Sequence, residues 1–255
     1  MIRLKSKREV EAMSEAGRIL ARALEQLNPA VTLGVTTLEL DRIAEEAIHK
    51  GGGEPAFKGY RGFPRTLCVS VNEEVVHGIP STRKLKEGDL VSVDLGVKYK
   101  SYYADAARSW TVGKGSPEVL QLIQVAREAF DAGIRSASGP GKRIGDLSEA
   151  VQKVVEENGF GVVRDYVGHG IGQAIHEDPQ VPNFGRAGQG PRIEPGLVLA
   201  IEPMVTAGRH EVEVLSDGWT VVTKDRRWAS HYEDTVAFTE NGPVNLTGPE
   251  GRAGA

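Results

Sequence analysis

Shifting the sequence by 107 positions lays one stretch of it over another. Gly34, Leu40, Ile43, Ala44, Ala47, Ile48 and Gly52 fall on Gly141, Leu147, Ala150, Val151, Val154, Val155 and Gly159. Chance likeness between two amphipathic helices would explain that much. The strands that follow repeat as well. Gly88 stands six residues before Asp94, and Gly196 six before Glu202, each followed by an apolar strand-like run. Asp105 stands six before Thr111, and Glu233 six before Thr239. A duplicated unit fixes architecture before any single motif does. It predicts an α+β chain with two related halves, about residues 1–113 and 114–247, in a single domain spanning 1–255 with a tail at 248–255. The joint is Gly113-Lys114-Gly115-Ser116-Pro117, where Ser116 reads as an N-cap and Pro117 as the first helical residue.

Each half opens with two helices. Ser6-x-x-Glu9 is a capping box, followed by an apolar face of Val10, Met13, Gly17, Leu20, Leu24 and Leu27. Asn28-Pro29 stops it. Thr36-x-x-Glu39 opens a second helix that buries Leu40, Ile43, Ala44, Ala47 and Ile48 and ends at Gly51-Gly52-Gly53. In the second half, Leu120, Ile123, Ala126 and Phe130 predict the buried face of the third helix, and Leu147, Ala150, Val151, Val154 and Val155 that of the fourth.

The repeat returns a carboxylate at both strand positions: Asp94 with Glu202, and Asp105 with Glu233. Residues 90–105 read as strand, turn, strand. A turn centred between Tyr99 and Lys100 sets Asp94 directly opposite Asp105. Like charges so placed are destabilising, and Asp is a poor strand former. The pair calls for a shared proton, a basic partner such as Arg108, or a metal ion, unless both carboxylates face water. A pseudo-twofold arrangement would bring two acidic hairpins to one centre. Four buried carboxylates cannot all ionise there without cations.

Composition narrows the rest. The net charge is −4 with no basic run, which argues against DNA or RNA as the main partner. One cysteine, Cys68, excludes an internal disulfide and fits the cytoplasm. The charged start lacks the apolar core of a signal peptide. No apolar run is long enough to cross a bilayer.

His169 lies in Gly168-His169-Gly170-Ile171-Gly172, where flanking glycines leave an imidazole unobstructed. His176 follows seven residues later, so one continuous strand would aim the two at opposite faces; they belong to different segments of one site. His49, His210 and His231 read as ordinary core or surface histidines. Asp94, Asp105, His169, Glu202 and Glu233 therefore form the candidate metal set. These hard, oxygen-rich donors suit Mn²⁺, Fe²⁺ or Co²⁺, with Zn²⁺ admissible. Four carboxylates exceed what one catalytic ion needs and match two ions sharing bridging groups. The chain has no His-Glu-x-x-His helix, phosphate-binding lysine loop, Gly-x-Ser-x-Gly elbow or Cys-x-x-Cys pair. Hydrolysis at a dinuclear centre is the expected chemistry, with an amide and a phosphate ester as rival substrates.

Five blocks then resemble the type I methionine aminopeptidases: Ser70-Val71-Asn72-Glu73 with His77-Gly78-Ile79-Pro80, Asp94-Leu95-Gly96 with Asp105, Gly168 to Gly172 with His176-Glu177, Ile201-Glu202-Pro203, and Tyr232-Glu233-Asp234-Thr235. The resemblance implies the pita-bread fold, two pseudo-symmetric αβ halves around a curved antiparallel sheet, with two divalent ions (Co, Mn, Fe or Zn) at its centre. It implies Asp94, Asp105, His169, Glu202 and Glu233 as metal ligands, Asp105 and Glu233 bridging. His176 would hydrogen-bond the scissile carbonyl. His77 would contact the scissile amide and help stabilise the tetrahedral intermediate formed when metal-activated hydroxide attacks. Glu202 would carry the proton from that water to the leaving amine.

The same resemblance maps a methionine pocket onto Tyr60, Phe63, Cys68 and Trp219. Ile175 departs from the pattern, in which Phe commonly precedes the His-Glu pair; the wall is smaller and aliphatic there, with Phe57 able to trade volume with it. The implied activity is removal of the initiator methionine from nascent chains with a small second residue, by a cytoplasmic monomer in transient contact with the ribosome. The alternatives are a proline-specific pita-bread peptidase, whose relatives usually carry a large amino-terminal domain, and a non-catalytic ribosome- or RNA-associated relative, which would have lost ligands.

Overall fold

The computed structural model describes residues 1–248; the rest of the expected tail lies outside the described residues. Three of the four α-helices of the described residues start where the capping signals place them. Helix α1, Lys7–Leu27, opens on Ser6, whose hydroxyl accepts from the Glu9 amide while the Glu9 carboxylate accepts from the Ser6 amide. Helix α2, Thr37–Lys50, repeats this with Thr36 and Glu39. Helix α3, Pro117–Ala137, starts at Ser116 and Pro117 as expected. Helix α4 is Ile144–Glu157. The first helix of each half has 21 residues and the second has 14, so the duplication extends to element length.

One face of α3 differs from the sequence reading. Leu120 is 51% exposed, and the buried stripe runs through Val119, Leu122, Ala126, Phe130 and Gly133. Apolar residues at 119, 120, 122 and 123 offer several faces, and close contact with α4 selects one: a Cβ on Gly133 would lie 3.0 Å from Val151.

The sheet carries the symmetry. Leu67–Val71 pairs with Leu90–Tyr99, which pairs with Tyr102–Thr111; Glu233–Thr239 follows, then Val198–Ile201, Gly168–Gly170 and Glu177–Val181, all antiparallel. The pseudo-twofold passes between Tyr102–Thr111 and Glu233–Thr239, with an antiparallel partner and an outer strand on either side. Alternation along each strand separates two faces. Val91, Val93, Leu95 and Val97 pack with Leu20, Leu24, Leu40 and Ile48 on the helix side. Leu199, Ile201 and Val236 pack with Leu122, Phe130 and Leu147 in the other half. Ser92, Asp94 and Gly96 are left on the opposite face. No helix among the described residues is long and apolar enough to cross a membrane.

The hairpin register corrects the expected pairing of Asp94 with Asp105. Asp94 faces Ala107, and Asp105 faces Gly96. The turn is Lys100-Ser101, one residue later than expected, with φ of 47° and 70°. Positive φ at both central residues matches the twist of a two-residue hairpin, but Lys-Ser lacks the usual Asn-Gly signal. The two acids still share a face, as diagonal neighbours. A Cβ on Gly96 would meet Phe57 Cε1 at 2.6 Å and Ala56 Cβ at 2.9 Å, so this glycine admits the loop over the sheet. Gly96→Ala should lower stability by about 1–3 kcal/mol through overpacking, read as a lower urea midpoint with the slope unchanged.

Candidate metal centre and cavity

The open face of the sheet converges on five side chains. Glu233 lies opposite Ala107 on one side, and Asp94 lies opposite Ala107 on the other. Asp94, Ala107 and Glu233 thus form one row with only a methyl group between two carboxylates. Asp105 occupies the neighbouring row, where Thr235 grips its backbone: the hydroxyl accepts from the Asp105 amide and donates to the Asp105 carbonyl, both at 2.9 Å. Glu202 follows directly on Val198–Ile201. His169 enters from Gly168–Gly170. A Cβ on Gly170 would fall 2.1 Å from the Asp178 carbonyl, so the glycine beside His169 is required by close packing.

His169 Nδ1 lies 2.9 Å from the Gly170 carbonyl. As a donor there it leaves the Nε2 lone pair facing the acids, 3.6 Å from Glu202 and 4.0 Å from Asp105. Burial, then the neighbouring His176, pushes the His169 imidazole down to about 3, so it is neutral at pH 7. Asp105 and Glu233 are buried, while Asp94 and Glu202 are half-buried. Burial raises all four carboxyls, Asp94 to about 7. Mutual repulsion adds to the rise at Asp105, Glu202 and Glu233.

Asp94 Oδ1, Asp105 Oδ1 and Glu233 Oε1 are buried without a hydrogen-bond partner. Native structures rarely leave such atoms unsatisfied, and a divalent ion is what this donor set accepts. Two ligand-sized clusters are present, Asp105-His169-Glu233 and Asp94-His231-Glu233, each with donor atoms within 4.8 Å of one another. They share Glu233, an arrangement suited to two ions joined by a bridge.

His231 did not emerge from the sequence reading. It is 1% exposed, inside the cluster rather than in generic core. The available signal was spacing: in extended chain, residues two apart share a face, and Glu233 is two residues on. Tyr232, between them, points the other way, where Arg108 lies 4.4 Å from its ring centre. Arg108 also donates at 2.6 Å to the Glu233 carbonyl and to Asp234 Oδ1. It therefore braces Glu233 from behind and is not a counter-charge for Asp94.

Beside the acids is a cavity of about 160 Å³, close to the roughly 150 Å³ that accommodates benzene in an apolar core. It is lined by every residue of the expected site: Tyr60, Phe63, Cys68, His77, His176 and Trp219, with the five expected ligands. Phe57 and Arg61 also line it, and no motif had marked Arg61. Ile175 packs in the same cluster as Phe57, Phe63 and Cys68, so the aliphatic wall and the large phenyl ring are neighbours. Burial, then nearby acids, pushes the Cys68 thiol far up, which makes it packing material.

His169 and His176 sit on different segments, as expected: His169 is in the strand Gly168–Gly170, and His176 lies in the loop before Glu177–Val181. His176 stands at the mouth, its ring centre 4.2 Å from that of His169. Its Nδ1 lies 3.0 Å from the Tyr60 hydroxyl, and the two rings stack at 5.4 Å. Desolvation and then Arg61 lower its pKa. His77 is half-buried with positive φ, 61°, its ring edge-on to Tyr166 and Trp219. Burial, then His176, takes it to about 4.

A model of metallopeptidase family M24 matches residues 11–240. A methionine aminopeptidase of Clostridium perfringens is 53% identical over 247 residues, covering 97% of this chain and 99% of that protein. The crystal structure of methionine aminopeptidase from Thermotoga maritima superposes with a TM-score of 0.95 at 46% identity, covering 98% of this chain and all of that one. A prolidase from Pyrococcus furiosus shares the fold less closely, with a TM-score of 0.76 at 26% identity, and this chain covers 66% of it.

The carboxyl shifts fix a sign. Asp94, raised from 3.8 to about 7 in the folded state, binds a proton more tightly folded than unfolded. Its contribution to stability is complete below about pH 4 and is lost as pH rises through about 7. Metal-free protein should lose stability over that window relative to metal-free Asp94→Asn, as read by urea unfolding. A divalent ion should reverse the loss in the wild type.

Proposed function

This chain belongs to metallopeptidase family M24, and from that premise we propose that it removes the amino-terminal methionine from polypeptides whose second residue is small. It is a methionine aminopeptidase of the pita-bread fold, a metal-dependent hydrolase. The observation that carries the reading is the junction of an acidic, cation-demanding cluster with a single apolar cavity. We assign Asp94, Asp105, His169, Glu202 and Glu233 as the residues that would hold two divalent ions. Such ions, when bound, supply positive charge that polarises a carbonyl oxygen and acidifies water.

The protein groups then have distinct tasks. Phe57, Tyr60, Phe63, Cys68 and Trp219 enclose a flexible apolar side chain, with Ile175 packed against them, and soft and aromatic walls suit a thioether. A cavity of this size accepts one such side chain. With the Tyr60 hydroxyl donating to Nδ1, His176 carries its hydrogen on Nε2. It can donate that hydrogen to the scissile carbonyl oxygen as negative charge grows there. Neutral His77 faces the scissile amide. Glu202, at the cavity edge, takes a proton from the attacking water and delivers it to the amine as the C–N bond breaks.

The substrate is accordingly the amino-terminal end of a peptide, and nascent chains are its natural source. A single catalytic domain acting as a cytoplasmic monomer with transient ribosome contact completes the proposal. Proline-specific cleavage is the alternative on this fold.

After chelation, Met-Ala-Ser hydrolysis should vanish and return with Mn²⁺, Co²⁺, Fe²⁺ or Zn²⁺, while Met-Leu-Ser and Gly-Pro peptides stay intact. Cleavage before proline would overturn the reading. Asp105→Ala and His169→Ala should abolish turnover. His176→Ala should cut kcat by about 10²–10³-fold with metal content preserved. Trp219→Ala should raise KM for Met-Gly peptides roughly tenfold, since it removes a wall and not a reacting group.

A further inference from the structure

Outside the residues assigned above, one buried polar side chain is aimed into the cluster. His231 is 1% exposed, and its Nε2 has no hydrogen-bond partner. That nitrogen lies 3.6 Å from Glu233 Oε2 and 3.7 Å from Glu202 Oε2. Both separations exceed the reach of a hydrogen bond. They match two donors on one ion, which at about 2.1 Å each lie up to about 4.2 Å apart. A nitrogen of His231 also falls within 4.8 Å of donor oxygens of Asp94 and Glu233.

We propose that His231 is a sixth protein ligand of the metal centre, binding the ion on the Asp94 side through Nε2. This rests on the assignment of the acidic cluster as a two-ion site. The centre then has a matched donor set on each side of the shared Glu233: Asp105 with His169, and Asp94 with His231. The backbone holds His231 in place. The Ser109 hydroxyl lies 2.9 Å from the His231 carbonyl and 3.1 Å from its amide. Met204 is its register partner in the adjoining three-stranded sheet. A ligand anchored this way gives the Asp94-side ion a nitrogen donor from a strand that the five expected ligands do not use.

Cobalt reports the ligation directly. An imidazole bound through Nε2 carries its hydrogen on Nδ1, and on Co²⁺ that N–H resonance is strongly shifted and exchanges with solvent. Wild-type protein loaded with two equivalents of Co²⁺ should show two shifted imidazole N–H signals. His231→Gln and His169→Gln should each lose one, and not the same one. By chelator competition, His231→Gln should weaken one of the two ions by at least about 100-fold and spare the other. Glutamine retains a hydrogen-bond donor, so a role limited to hydrogen bonding would leave that affinity intact. A single shifted N–H in the wild type, or a second that survives His231→Gln, would overturn the proposal. The wild-type count needs no variant to fold. Wild-type protein that binds no Co²⁺ would instead bring down the two-ion assignment itself, and this proposal with it.

Discussion

Carboxylates brought together away from water repel one another and lose hydration, and a fold that gathers four of them must be completed by positive charge. Asp94, Asp105, Glu202 and Glu233 impose that condition here. Arg108 is the nearest basic group on these strands, and it spends its guanidinium on Asp234 and the Glu233 carbonyl, on the far side of the sheet. Protonation, which burial favours at all four, relieves the acids in part while no ion is bound. At neutral pH the remaining solution is divalent cations, which also satisfy the orphaned oxygens of Asp94, Asp105 and Glu233.

The duplication explains how one chain builds so improbable a cluster. Each half supplies a helix pair of the same lengths, a strand pair and two acids. Joining Tyr102–Thr111 to Glu233–Thr239 brings the acidic rows side by side. Period-two alternation puts valines and leucines against the helices and the acids on the other face. Ala107 and Gly96 keep that face open between the carboxylates and under the Phe57 loop. The symmetry is then broken for function. The first half contributes the aromatic loop and His77, and the second contributes His169 and His176, so the cavity lies to one side of the acids.

Much of this is visible in the chain itself. The capping boxes, the repeat, the acids and the glycine setting of His169 are local signals, and local signals survive folding. Three features were less legible for physical reasons. The hairpin turn falls on Lys100-Ser101, a pair without the glycine or asparagine that normally advertises positive φ, so the register of Asp94 and Asp105 is offset by two. The buried face of α3 is set by its contact with α4, which its own periodicity does not specify. His231 resembles any strand histidine until Glu202, distant in sequence, is folded against it. The cavity is likewise a tertiary product, since Phe57, Cys68, His176 and Trp219 come from four separate segments.

The central claim is that burial holds protons on these acids until cations replace them. Calorimetric titration with Mn²⁺ in buffers of different ionisation enthalpy measures both quantities together. The account predicts two ions bound per chain, with protons released on binding at pH 6 and progressively fewer as pH rises past about 7, the value to which Asp94 is raised. Binding with no proton release at any pH, or no binding, would contradict it.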